Sequence, residues 1–303
     1  MNQYYLGNTL INDAYLGSIV VDDLVAFKQP LGIEYLIVAG GGSGGARQGG
    51  GGGAGGFVTG SINIIPGTYN VIVGFGGRNA SGSGQDQGFN GSNSSFLSVS
   101  ALGGGYGGGA NSFPSDRTGS NGGSGGGAGT VDTTVIAGGT GSIGQGFNGG
   151  GAALTSADPS FNPTAGGGGA GSAGGRATNQ LLVYAGGNGR AWLDGITYAG
   201  GGGGCGGAGT TIGGAGGTGG GGRGGSPSSA ASGGLDDFGA GGGGASRPAN
   251  SNTKGGSGIV RIRYAGSGSR ATGGTITFSG GYTYHTFTSS SLAGSGGTGS
   301  FVY

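Results

Sequence analysis

Glycine fills 94 of the 303 positions, and much of it stands in unbroken runs at 49–53, 166–169, 200–204 and 241–244. A run without Cβ atoms has no side chains to bury, and glycine loses more backbone freedom on ordering than any other residue. Such a run is either a flexible linker or part of a structure that the backbone itself holds together. The runs here carry punctuation that linkers lack. They follow the leaders Val38-Ala39-Gly40, Ile136-Ala137-Gly138, Tyr184-Ala185-Gly186 and Tyr198-Ala199-Gly200, and Gly88-Phe89-Asn90-Gly91 returns as Gly146-Phe147-Asn148-Gly149. This pattern suits polyglycine segments in the polyproline II conformation, with three residues per turn and a rise of about 3.1 Å. Without Cβ atoms, neighbouring segments approach closely enough to share lateral N–H···O=C and Cα–H···O contacts. Backbone satisfaction then takes the place of side-chain burial. Collagen requires glycine at every third position, and the stretch 40–49 breaks that register.

Strand signals bracket the glycine-rich zone. Residues 33–39 form a nearly continuous apolar run, and residues 258–264 alternate so that Val260, Ile262 and Tyr264 face inward and Arg261 and Arg263 outward. Residues 57–65 and 68–75 flank Ile65-Pro66-Gly67-Thr68, a type II turn sequence with Gly67 at the position that needs positive φ, so these segments are expected to pair as a hairpin. Toward the C-terminus, residues 274–278 and 282–288 form a second hairpin around Ser279-Gly280-Gly281. No helical periodicity occurs. The expected fold is all-β: a small β framework encloses packed polyglycine helices of the polyproline II type, between short N- and C-terminal β modules. Composition divides the chain into 1–30, 31–264 and 265–303. In the first zone Tyr5-Leu6-Gly7-Asn8-Thr9-Leu10-Ile11-Asn12-Asp13 is echoed by Tyr15-Leu16-Gly17-Ser18-Ile19-Val20-Val21-Asp22-Asp23. This repeat suits a single hairpin and an oligomerising or docking segment equally.

Several chemistries are disfavoured. Charged residues make up 8% and the net charge is +1, so an electrostatic footprint for nucleic acid is missing. No apolar run has the length of a membrane span. At this glycine content G-x-G-x-x-G arises about nine times by chance and carries no information about dinucleotides. The single histidine, His285, lies in an alternating strand, where a structural role outweighs a catalytic one. The single cysteine, Cys205, stands among glycines and reads as a small buried filler. Asp22-Asp23 and Asp236-Asp237 read as turn acidity. No enzyme activity, metal or cofactor is expected.

Large aromatics are what remains distinctive. Tyr106, Phe113, Phe161, Trp192 and Phe238 interrupt the glycine runs singly, several beside turn formers, as in Ser112-Phe113-Pro114 and Ser160-Phe161-Asn162-Pro163. Aromatics at loop tips anchor recognition surfaces, and they equally suit plugs that close the ends of glycine bundles. They are the candidate receptor contacts.

Glu34 to Gly42, Gly53-Ala54-Gly55-Gly56-Phe57, Ile65 to Val71 and the closing Gly255 to Tyr264 together resemble the glycine-rich domain of many bacteriophage tail and virion proteins. Residues 271–274 and 285–290 resemble a small β module that often follows it. The resemblance implies a virion structural protein, a tail fibre or tail-tip adhesin, assembled in the host cytoplasm. It implies loops that touch a host surface glycan or outer-membrane protein. Residues 1–30 would then join other virion proteins, with a homo-oligomer, a trimer foremost, as the assembled state. A non-adhesive capsid decoration or extracellular filament protein is the first alternative. An ice-binding polyglycine bundle is the second, although its flat face would want regular Thr or Ala rows.

Overall fold

The computed structural model describes residues 4–6, 9–11, 29–79, 87–109, 114–130, 134–153, 162–179, 182–207, 210, 212–246, 253–292 and 297–303. Among these residues thirteen strands follow in order: β1 (Tyr4–Leu6), β2 (Thr9–Ile11), β3 (Leu31–Val38), β4 (Phe57–Ile64), β5 (Thr68–Ile72), β6 (Ser94–Phe96), β7 (Val99–Ala101), β8 (Arg190–Ala191), β9 (Thr197–Tyr198), β10 (Ile259–Ala265), β11 (Thr275–Ser279), β12 (Tyr282–Thr288) and β13 (Thr298–Val302). The one helix among the described residues is a single turn, Pro114–Arg117, so the chain is all-β. β1 pairs with β2, which makes the first decapeptide a hairpin by itself; its second copy lies outside the described residues.

Two open antiparallel sheets form a sandwich. One has the order β11-β12-β10-β3-β4 and the other β13-β5-β6-β7. Strand alternation sends Ile33, Tyr35, Ile37, Val260, Ile262, Tyr264 and Phe287 of the first sheet onto Val71, Phe96, Ala101 and Phe301 of the second. Phe96 is the hub, with Tyr35, Tyr69 and Phe301 set edge-on to it at 5.9, 6.4 and 6.1 Å. β11, β12 and β13 belong to these sheets, since β12 pairs with β10 and β11, and β13 with β5. The expected 57–65/68–75 hairpin does not form. β4 pairs with β3, and β5 leaves for the other sheet to pair with β13 and β6. Gly67 does not take positive φ, and it exchanges backbone bonds with Tyr303. Pro66-Gly67 is a corner between sheets. The later hairpin is as expected, with Gly280 and Gly281 at φ 57° and 80°.

Where β3 and β10 reach the glycine-rich zone, strand pairing gives way to a different hydrogen-bond pattern. Gly50 and Gly53 donate to Gly108 and Gly105, Gly51 and Ala54 to Ala165 and Gly168, and Gly52 and Gly55 to Gly242 and Gly239. Each neighbouring segment is met at every third residue. The carbonyls follow the same rule: those of Gly50 and Gly53 accept from Gly45 and Gly42, those of Gly51 and Ala54 from Gly127 and Ser124, and that of Gly52 from Gly202, all at 2.8–3.0 Å along the segment. Residues 50–55 are thus bonded to six surrounding segments. Elsewhere Gly200, Gly203 and Gly206 donate to Gly219, Gly222 and Gly225, and Gly201 and Gly204 to Gly187 and Tyr184.

The registers give this array two ends. Ala39, Gly56 and Gly258 adjoin the sandwich, whereas Gly45, Gly50, Gly108, Gly127 and Ala245 are linked to one another at the remote end. The segments 103–109 and 124–130 run toward that remote end, and 162–169 leads back from it. Particular positions inside the array require glycine: a Cβ on Gly51 would stand 2.0 Å from the Gly202 carbonyl oxygen, and one on Gly202 2.0 Å from that of Gly242.

Gly202→Ala is therefore expected to destabilise the protein by about 1–3 kcal/mol through overpacking. Gly268 has open space around its Cβ direction and no left-handed φ, so Gly268→Ala is expected to be neutral or to stabilise by about 0.4–1 kcal/mol through the unfolded chain. Opposite shifts in melting temperature check the pair.

His285 supplies a pH test. It is fully buried, with Nδ1 donating to the Gly273 carbonyl at 2.7 Å, Nε2 3.2 Å from the Tyr264 hydroxyl and Phe301 edge-on at 4.9 Å. Burial lowers its pKa below the ordinary 6.5, against the opposing pull of the Gly273 bond. The unfolded chain takes up the proton first, so stability falls as pH drops below 6.5. Melting temperature is expected to decline between about pH 7 and pH 5, and His285→Gln to flatten that decline.

Candidate functional site

The outer face of the five-stranded sheet carries a second core. Leu36 and Val38 of β3, Ile259 of β10 and Tyr284 of β12 pack with Ala54, Phe57, Trp192, Tyr198 and Ala199. Alternation does put Arg261 and Arg263 on this face, but the face is not open to solvent. The β8–β9 hairpin covers it, and both guanidinium groups are held beneath. Arg261 Nη1 donates to Asp194 Oδ2 and to the Tyr198 hydroxyl at 3.0 Å, and that hydroxyl donates to Asp194 Oδ2 at 2.8 Å. Arg263 donates through Nε to Glu34 Oε2 at 2.7 Å, and through Nη1 to the Leu193 carbonyl at 3.0 Å and the Tyr284 hydroxyl at 3.2 Å. Its guanidinium lies 4.1 Å from the Tyr282 ring centroid. Burial raises the Tyr198 pKa, although Arg261 pulls it down. Burial works against the charge on Arg263, and the bonds to Glu34 and Tyr284 outweigh it, so its pKa rises.

The turn that makes this clasp is local chemistry. Asp194 Oδ1 accepts from Ile196 N at 2.9 Å, Gly195 takes φ 78°, and Trp192 and Ile196 close the loop through their backbones. Asp194 thus builds the turn with one oxygen and binds the sheet with the other.

The sequence candidates fall in three places. Trp192 is 6% exposed. Its indole N–H donates to Thr59 Oγ1 at 3.1 Å and its ring stands edge-on to Tyr284 at 6.4 Å. It sits under the hairpin as a packing residue; the tip positions are the exposed Leu193 and Ile196. Phe238 joins the same cluster, tilted against Tyr198 at 5.4 Å. Tyr106 is half-buried within the array, its N–H donating to Asn90 Oδ1 at 2.9 Å; burial and then Asp116 raise its phenol pKa. Phe113 and Phe161 lie outside the described residues. Cys205 is the buried filler expected, its thiol pushed up to about 12 by burial.

Asp194, Glu34 and the two arginines were not among the sequence candidates, and their one signal was two charges spaced i, i+2 in an otherwise apolar strand. Next to the clasp, Gly32, Glu34, Ser61, Asn63, Arg263 and Tyr282 line an open groove of about 430 Å³. Its opposite charges are paired with each other, so it offers a visitor neutral polar groups beside the apolar surface of Ile62, Ala265 and Tyr282. Among the described residues no group of three or more His, Cys, Asp or Glu is placed to hold a metal, and no helix is long and apolar enough to cross a membrane.

Asp194→Ala is expected to cost about 3–5 kcal/mol, the magnitude for leaving one partner of a buried pair uncompensated, and to release the hairpin. Replacing Asp194 and Arg261 together with apolar residues of similar volume should recover much of that loss. Denaturant midpoints of the single and double variants measure it.

No curated protein and no solved structure matches the chain. Residues 25–265, from before β3 to the end of β10, do match a known family. The matched span covers the zone in which backbone-bonded glycine segments are bracketed by those strands in this chain, and by that match the chain belongs to the glycine-rich domain family.

Proposed function

We propose that the protein is a non-enzymatic structural component of a bacteriophage virion, a tail fibre or tail-tip adhesin. In this reading the glycine segments are polyglycine helices packed in a bundle. The observation that carries it is the three-residue hydrogen-bond period of residues 50–55 with six surrounding segments, which is the period of a polyproline II-type helix. A bundle bonded through its backbones is rigid without a large apolar core, and a rigid scaffold tolerates free variation in the loops it carries.

The array's two ends suit the two tasks of an adhesin. The sandwich end joins the particle through residues 1–30, and the remote end meets the host. Gly109 and Asn162, the described residues next to the segments holding Phe113 and Phe161, stand at the ends of strands of chain that reach that remote end. With 8% charged residues, contact with a host glycan or outer-membrane protein would rest on stacking and apolar burial.

Particles carrying Phe113→Ser and Phe161→Ser are expected to lose adsorption to host cells while the purified protein keeps its melting temperature; Trp192→Ser is expected to lower melting instead. Adsorption that survives the double change would leave the protein a decoration or filament component. Removal of residues 1–30 is expected to reduce the mass in sedimentation equilibrium to that of a single chain and to abolish incorporation into particles. Unchanged mass and incorporation would defeat that assignment.

A further inference from the structure

The sequence contains four Asn-Gly pairs, at 90–91, 121–122, 148–149 and 188–189. Every one stands at the edge of the glycine array, where a segment has run out of neighbours. There the asparagine side chain supplies the missing acceptor. Asn90 Oδ1 takes the Tyr106 N–H at 2.9 Å, Asn121 Oδ1 that of Thr140 at 2.7 Å, Asn148 Oδ1 that of Gly141 at 2.9 Å and Asn188 Oδ1 that of Thr218 at 3.2 Å. The edge residue Asn93 does the same for Gly103 at 2.8 Å, so Gly103 and Tyr106 keep the three-residue period by bonding to side chains in place of a backbone. All five asparagines are exposed. The glycine that follows each pair's asparagine is dictated by packing: a Cβ would stand 2.1 Å from the Gly40 oxygen at Gly91, 2.3 Å from Gly105 N at Gly122, 2.0 Å from the Gly126 oxygen at Gly149 and 2.0 Å from the Tyr198 oxygen at Gly189.

Asn-Gly is also the dipeptide most prone to deamidate, because no side chain shields the glycine nitrogen. That nitrogen loses its proton and bonds to the asparagine Cγ; the bond from Cγ to the amide nitrogen breaks and ammonia leaves. Water then opens the succinimide to aspartate or isoaspartate. In the array both reacting groups are engaged. The glycine N–H groups donate to carbonyls, Gly91 to Gly104, Gly122 to Thr140, Gly149 to Gly139 and Gly189 to Thr218, while each asparagine oxygen is held by another residue's N–H. We propose that the four Asn-Gly pairs are latent modification sites, closed to deamidation while the array is intact and opened when it is breached. Isoaspartate carries its chain through an extra backbone atom, so a modified segment cannot regain the three-residue register, and a breach becomes irreversible.

The test incubates the full chain at mildly alkaline pH, folded and in denaturant, and follows each pair by peptide mass mapping with an isoaspartate-specific label. Synthetic peptides spanning the pairs give the unprotected rate. Since reaction waits on local opening, deamidation in the folded chain is expected to be slower than in the peptides by roughly tenfold or more at all four sites, and in the denatured chain to match them. Equal folded and peptide rates would overturn the proposal. Asn148→Asp, which keeps the acceptor oxygen and the backbone length, is expected to refold from denaturant, whereas chains with isoaspartate at 148 are not. Isoaspartate chains that refold and melt like the parent would remove the irreversible step.

Discussion

The contact on which this fold depends is a carbonyl oxygen standing where a Cβ would be. At Gly51 it is the oxygen of Gly202, at Gly202 that of Gly242 and at Gly53 that of Ser124. Segments this close can bond through their backbones in every lateral direction, which a β-strand cannot do because its groups lie in one plane. The three-residue period turns successive N–H groups toward different neighbours, so one segment serves six. The array therefore needs no large apolar core for its own ordering: the two larger buried clusters lie in the sandwich and its outer seam, and the glycine-rich zone adds only the small cluster of Ala128, Ile136, Ala152, Ala165 and Ala177.

Glycine runs are interchangeable, and that creates a register problem. Any run could bond to any other, so order must come from residues that are not glycine. The sandwich does part of this work: β3, β4 and β10 are aligned by their apolar alternation, and the bonds from Ala39 to Gly56 and from Gly258 to Gly74 continue that alignment into the array. Side chains fix other segments. Ser43 Oγ accepts from Phe89 N at 2.7 Å, Ser94 Oγ donates to the Val38 carbonyl at 2.8 Å, and Thr164 Oγ1 ties Gly49 to Cys205. These links span long stretches of sequence, so the array is built from non-local contacts, the class that forms slowly, and the sandwich aligns the end that adjoins it.

Much of this was legible in the sequence, and the misses have local causes. β3 follows from its apolar run, β10 from period-two patterning and the β11–β12 hairpin from a Gly-Gly turn, signals that lie within a few residues of one another. Pro66-Gly67 misleads because its partner is Tyr303, at the far end of the chain, and turn chemistry cannot show which sheet the next strand joins. Arg261 and Arg263 were assigned to the correct face, but alternation says nothing about whether another element covers that face. The covering hairpin is short, and its decisive residue, Asp194, looks like any turn aspartate. The same gap moved Trp192 from a loop tip to the seam. The glycine runs made a three-residue period readable, whereas the identity of each neighbour depends on pairings that no run encodes.

The distribution of charge follows from the same constraint. An array of bonded backbones leaves little room for ionised side chains, and among the described residues the paired charges Asp194, Arg261, Glu34 and Arg263 lie at the seam. Arg261 and Arg263 attach the β8–β9 hairpin to the sheet through Asp194, Tyr198 and the Leu193 carbonyl. The array's edges are closed by neutral asparagines, whose amide oxygen copies a peptide carbonyl and whose short side chain reaches one segment and no further. An aspartate would accept the same bond but would bring charges of one sign along an edge otherwise short of counter-ions. Asparagine followed by glycine is thus the pair that this edge selects on physical grounds, and the bonds that select it also occupy the amide oxygen and the glycine N–H through which it would deamidate.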